Sequence, residues 1–231
     1  MTDTSAQVLW SEKAVGRRGP KPRVERSQIV AAAVRIADQE GISSASMQRI
    51  AAEVGVTKMA LYRHLPGRTE LLALMIESAM GPAPDTSGPW GDGLRVWADA
   101  MRAVLTEHRW LSAAATGARP IGPVELGWTE AGLAPMTRLE LRGAERLDTL
   151  VLIASHVRGI VQQLGDRGSE ATDVERAIGG PLVDLLGERA TDFPLSLDAF
   201  AESAASGATD QAYEYGLGRI LDGVAALVAE R

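Results

Sequence analysis

Few residues in this chain have the types and spacing that catalysis needs. It contains three histidines, His64, His108 and His156, and no cysteine. The histidines are too far apart to share one element as metal ligands, and disulfide or thiolate chemistry is excluded. No G-x-S-x-G elbow, H-E-x-x-H pair or phosphate-cradling glycine loop occurs. Asp99 with His108, and Glu125 with Glu130, come nearest to acid–base pairs, but solvated helix faces account for them as well. The sequence therefore predicts no enzyme, no metal and no cofactor. One stretch does point to a chemistry: Ile42 to Leu72, ISSASMQRIAAEVGVTKMALYRHLPGRTELL. Thr57, Lys58, Met59 and Ala60 open a short helix whose inner side is left to Ile50, Val54, Val56 and Leu61. Two short helices joined by a glycine turn, with small Ala51 at their crossing, make a helix-turn-helix. Such units send the start of the second helix into the DNA major groove.

The elements that must hold this unit can be read from periodicity. From about Val24, Ile29, Ala33, Ile36 and Ala37 recur at helical spacing until Gly41 stops the run. Ser43 to Ser46 offer N-caps for a second helix, Gly55 supplies the left-handed turn position, and Thr57 caps the third helix. Pro66-Gly67 breaks that helix, and a fourth begins near Arg68 with Leu71, Leu72, Met75 and Ile76 inward. Residues 81–89 read as a linker. Beyond it the pattern stays helical: Trp90 to Glu107, a short helix to Ala115, and Pro123 to about Leu141. A longer helix carries Leu147, Leu150, Val151, Ala154, Val157, Val161 and Leu164. A further segment, Asp173 to Leu186, is interrupted at Gly179-Gly180-Pro181. The last helix, from about Thr209, aligns Tyr213, Leu217, Ile220, Val224 and Leu227. No segment alternates with period two, so the fold class is all-α. A three-helix N-terminal helix-turn-helix domain is joined to a larger helical ligand-binding and dimerisation domain. The division expected is a basic disordered arm at 1–22, a DNA-binding domain at 23–70 and the helical body at 71–231.

Charge agrees with this division. The net charge is −6, yet residues 1–72 hold 11 Lys/Arg against 7 Asp/Glu, while residues 73–231 hold 13 against 23. A basic head on an acidic body suits a DNA reader. The first ten residues lack a basic stretch followed by an apolar one, and no apolar run approaches the roughly 18 residues of a membrane span. A cytoplasmic protein is expected.

The run Ala51-Ala52-Glu53-Val54-Gly55-Val56, then Leu61-Tyr62-Arg63-His64-Leu65, then Arg68 and Glu70-Leu71-Leu72, resembles the DNA-binding domain of the TetR family. The likeness spans about Val24 to Ile76, and its LYRH form with Pro66-Gly67 is nearest the tetracycline-repressor-like branch. The resemblance implies roles position by position. Gln48 and Lys58 match base-contacting positions, where an amide can pair with adenine and an ammonium with guanine O6/N7. Thr57 and Tyr62 match phosphate contacts, and Tyr62 can pack at the same time. Met59 and Ala60 can touch a thymine methyl, and Arg68 takes the place of the usual lysine at the fourth helix's start. Lys21 and Arg23, in the basic run to Arg26, would follow the backbone or the adjacent minor groove. Arg49 rivals Gln48 for the groove, and the resemblance favours Gln48. His64 is expected at the helix end against the body.

For the body, the resemblance implies a homodimer built from the Leu147–Leu164 and Tyr213–Val228 helices, with Ala154, Gly159, Gly216 and Gly223 permitting close approach. It also implies a small-molecule cavity, for which Trp97, Met101, Trp110, Trp128, Met136 and His156 are the candidates. The function expected is a repressor released from a palindromic operator by an unidentified ligand. In that mechanism the fourth helix tilts, and the recognition helices leave their spacing of about 34 Å. A constitutive regulator or activator without an inducer is the alternative.

Overall fold

The computed structural model describes residues 9–10, 24–114, 120–163, 191–206 and 211–231. Most of the expected basic arm, with Lys21 and with Arg23 beyond it, lies outside the described residues, as do Leu164 and the Asp173–Leu186 segment. Every described element is a helix.

Helix α1 (Arg26–Glu40) opens with the Glu25 N–H donating to Gln28 Oε1 at 2.8 Å and ends at Gly41, whose φ of 82° only glycine adopts without strain. Its buried stripe is Ile29, Val30, Ala33, Ile36 and Ala37. After a 3₁₀ turn (Ile42–Ser44) come α2 (Met47–Glu53) and α3 (Lys58–Tyr62). Each begins on a side-chain cap: Ser46 accepts from the Arg49 N–H, and Thr57 from the Ala60 N–H. Between them Gly55 has φ 69°, and the Val56 N–H returns to the Ala51 carbonyl at 2.9 Å, closing the turn. Ile50, Ala51, Leu61 and Leu65 are buried beneath the pair, while Val54 and Val56 are half-buried at its edge.

Helix α4 (Arg68–Met80) packs along α1, and its Met75, Ile76 and Ala79 belong to the same hydrophobic cluster as the body. The body is α5 (Trp90–Glu107), α6 (Leu111–Ala114), α7 (Pro123–Leu133), α8 (Gly143–Gln163), α9 (Pro194–Ser206) and α10 (Gln211–Ala229). Helix α8 sits at its centre, packed against α5, α7 and α10. Helix α7 stops at Leu133 rather than near Leu141. Pro135 cannot donate a backbone bond, and the chain tightens into a 3₁₀ turn at Ala134–Met136. No helix among the described residues is long and apolar enough to cross a membrane.

Candidate nucleic-acid interface and body site

The start of α3 is an exposed platform. Lys58 is exposed, and Met59 is 71% exposed although it is a large apolar side chain. Burying Leu61 and Leu65 turns the opposite side of the short helix outward, so Thr57, Lys58 and Met59 face solvent together. Ala60 is half-buried where its N–H donates to Thr57 Oγ1. Tyr62, 41% exposed, and exposed Arg68 extend the same end of the molecule.

Geometry separates Gln48 from Arg49. The Arg49 guanidinium bridges Glu40 Oε1 at 3.0 Å and Glu53 Oε2 at 3.1 Å, and Glu53 also receives Arg35 at 3.5 Å. The Glu40 contact, then that of Glu53, raises the Arg49 pKa. Arg49 is thereby occupied in joining α1 to α2. Gln48, the residue before it, is exposed.

Sequence reasoning missed a cleft of about 540 Å³ beside the platform, lined by Val24, Gly55, Thr57, Ala60, Arg63 and His64 among others. His64, expected at the helix end against the body, is half-buried just past the end of α3 and lines this cleft with Thr57 and Arg63. The signal available in the sequence was the adjacent Arg63-His64 pair, two polar residues immediately before buried Leu65.

In the body, two of the six aromatic and polarisable candidates meet. The Trp97 and Trp128 rings meet edge to face, with centroids 6.3 Å apart, and Met136 is fully buried. The Trp97 indole N–H donates to the Trp128 carbonyl at 2.8 Å, and that of Trp128 to the Gly81 carbonyl at 3.0 Å. Gly132 lets this pair pack closely, since a Cβ would approach Leu150 Cδ2 to 2.7 Å and Trp97 Nε1 to 3.0 Å and push those side chains aside. Met101, one turn beyond Trp97 on α5, packs half-buried against the same core.

Trp110 and His156 lie apart from this cluster and have other contacts. Trp110 is buried, and its N–H donates to Asp38 Oδ1 at 2.7 Å, toward α1. His156 Nε2 lies 2.9 Å from the Tyr213 carbonyl, and its ring stacks on Tyr213 at 5.9 Å with the planes 7° apart. The Tyr213 hydroxyl donates to Asp99 Oδ1 at 2.6 Å, and Arg102 lies over its ring at 4.2 Å. Burial first, and Asp99 second, push the phenol far above its ordinary pKa. Asp99 is thus committed to Tyr213, and His108 to Asp38, which separates the residues of that nominal acid–base pair. Among the described residues, no group of three or more His, Asp or Glu side chains could hold a metal.

Helix α8 has two apolar faces. Leu150, Ile153, Val157 and Val161 are buried within the chain, whereas Leu147 and Val151 point out, 49% and 62% exposed. Space beside Gly159 and Gly223 is open, but Gly216 is filled by His156, within 2.2 Å of where a Cβ would stand. Close approach at Gly216 therefore serves the α8–α10 contact inside one chain. A second apolar surface escaped the sequence reading: Phe193 and Leu195, at the start of α9, are 47% and 83% exposed.

Comparison with known proteins decides the family. The model for the tetracyclin repressor-like C-terminal domain matches residues 82–228, and that for bacterial regulatory proteins of the tetR family matches residues 29–75. The chain belongs to the TetR family of transcriptional regulators. It is 33% identical to the HTH-type transcriptional repressor DrrR1 of Streptomyces coeruleorubidus, over 97% of this chain and 86% of that protein. It is 27% identical to the class A tetracycline repressor protein of Escherichia coli, over 88% and 91% respectively. Among solved structures, apo ActR of Streptomyces coelicolor matches with a TM-score of 0.74 and 25% identity, covering 91% of this chain and 99% of that one. ActR in complex with actinorhodin matches at 0.72 and 25% identity, covering 90% and 98%. This TetR-family chain is accordingly a DNA-binding transcriptional regulator.

Proposed function

We propose that this chain is a homodimeric repressor that a small-molecule ligand releases from a palindromic operator. The observation that carries the reading is the exposed start of α3, where Thr57, Lys58 and Met59 stand clear of a core that buries Leu61 and Leu65 behind them. In this reading Gln48 and Lys58 contact bases, Thr57, Tyr62 and Arg68 contact phosphates, and Met59 and Ala60 contact thymine methyls. Lys21 and Arg23 would reach the flanking backbone. The division into a reader at 23–70 and a body at 71–231 follows the same logic. Leu147 and Val151, apolar and outward on α8, support pairing with a second copy through α8 and α10. Such pairing would set two recognition helices one DNA turn apart. Similarity to DrrR1 supports repression, and similarity to ActR, solved with actinorhodin, supports a small-molecule ligand. The body's place for one is the Trp97, Met101, Trp128 and Met136 region.

One observation favours a second reading, a constitutive regulator or activator whose body only dimerises: Trp97 and Trp128 are buried and already packed edge to face, with both indole N–H groups satisfied. Selection of bound duplexes from genomic fragments tests the DNA reading. Recovery of one palindrome, lost with Lys58→Ala and weakened with Tyr62→Ala, supports it, and failure to enrich any site at low salt refutes it. A thermal-shift screen of small aromatic molecules separates the two readings, because a ligand that binds the native state raises its melting temperature.

A further inference from the structure

Two carboxylates hold the junction of head and body, one on α1 of the head and one on α4, the helix that leads from the head into the body. On α1, Asp38 Oδ1 accepts the Trp110 indole N–H at 2.7 Å and the His108 Nδ1–H at 2.8 Å. On α4, Glu77 Oε2 accepts the Val124 N–H at 2.8 Å, and its Oε1 accepts the Glu125 N–H at 3.0 Å. The second tie has a clear physical cause. Helix α7 begins Gly122-Pro123, with no side chain of its own able to cap its free amides, and Glu77 supplies the missing acceptor from another helix. Gly122 makes room for it, since a Cβ there would fall 2.2 Å from the Glu77 carboxyl carbon. Both sets of donors come from two nearby pieces of body chain, His108–Trp110 and Gly122–Glu125. Trp10 donates to the Ile121 carbonyl at 3.0 Å, so the same stretch also receives Trp10. One residue beyond α4, Gly81 accepts from Trp128, which makes the grip of α7 on the end of α4 two-sided.

We infer that Asp38 and Glu77 are positioning residues for DNA recognition. They fix the angle of the head on the body, and through it the separation of the two recognition helices in the dimer. The inference rests on the dimeric operator-binding reading above and deepens it. Each tie holds charge-assisted bonds between a carboxylate and N–H donors from a different element, the strongest class of contact crossing this junction. Contacts of α3 with a single half-site do not depend on the ties; the geometry between half-sites does.

The test uses full-length protein and the palindromic duplex that it selects from random DNA. Companion duplexes have the half-sites moved by about one or two base pairs around the turn repeat, and another carries a single half-site. Glu77→Gln keeps the side chain's size and removes its charge. Gly122→Ala leaves Glu77 in place and displaces its carboxylate. Asp38→Asn weakens the other tie. In each variant the preference for native spacing should fall about tenfold, the size a lost charge-assisted bond can supply. Half-site affinity should stay near wild type, the melting temperature should fall by only about 2–6 °C, and Val124 and Glu125 amides should exchange faster in Glu77→Gln. Unchanged spacing preference in Glu77→Gln and Gly122→Ala overturns the inference, as does an equal loss on every duplex, which marks damage to the fold alone. If the wild type selects no palindrome, the dimeric-reader reading fails and takes this inference with it.

Discussion

Replacing Val151 with glutamate puts a carboxylate on the outward apolar face of α8, where the proposed dimer buries its core. Val151 is 62% and Leu147 49% exposed in the single chain, so pairing would cover roughly half of each side chain. Full burial of such a side chain contributes about 1.5–3 kcal/mol, which makes half-burial worth about 1 kcal/mol for each. Symmetry doubles every term, because residue 151 occurs once in each protomer. The substitution thus forfeits about 2 kcal/mol of apolar burial. It adds at least about 1 kcal/mol per copy for desolvating an unpaired polar group. A total near 4 kcal/mol raises the dimer dissociation constant roughly a thousandfold. Sedimentation equilibrium across a dilution series measures it directly, and palindrome affinity should fall in parallel while half-site binding persists. A Val151→Glu protein with the wild-type dissociation constant would refute the assignment of this face to the dimer.

Other expectations follow from individual contacts. Gln48→Ala should cost about 1–3 kcal/mol of discrimination at one operator position, while Arg49→Ala, losing only surface ion pairs, should leave sequence preference intact; competition binding against single-base operator variants compares them. Hydrogen bonds from Arg231 first, and then from Arg142, hold the Glu145 carboxyl near 2, down from its ordinary 4.5. Its contribution to stability is therefore complete above about pH 4.5 and fades as pH falls toward 2. Melting curves should show Glu145→Gln less stable than wild type at pH 7, with the gap closing in acid. Gly132→Ala would set a Cβ 2.7 Å from Leu150 Cδ2 and 3.0 Å from Trp97 Nε1, so both must shift away from it, costing about 1–3 kcal/mol by overpacking, and urea unfolding followed by tryptophan fluorescence reads the loss. Tyr213→Phe removes the donor to Asp99 and should cost about 1.5–3 kcal/mol in the same assay.

The chain's local chemistry determined the reading head almost residue by residue. Ser46, Thr57, Gly41, Gly55 and Pro66-Gly67 are caps, turns and breaks whose effect is set by neighbours within a few positions, so α1 to α4 could be placed from sequence patterns. Periodicity likewise located α5, α8 and α10. It could not say which apolar face of α8 looks inward, because Leu147 and Val151 carry the same signal as Leu150 and Val157; only packing against α5 and α10 separates them. Tertiary structure alone paired Arg49 with Glu40, nine positions earlier on α1, as well as with Glu53 on its own helix. It also gave Asp99 to Tyr213, 114 positions away, rather than to His108. Trp110 read as a cavity residue by size, and its indole N–H found Asp38, 72 positions earlier. Glu77 read as one more charge on a helix, and it became the cap of a helix 47 positions later that had none of its own. Caps and turns repeat a short-range rule that sequence displays, whereas a buried or half-buried polar group takes whichever partner the fold brings within reach.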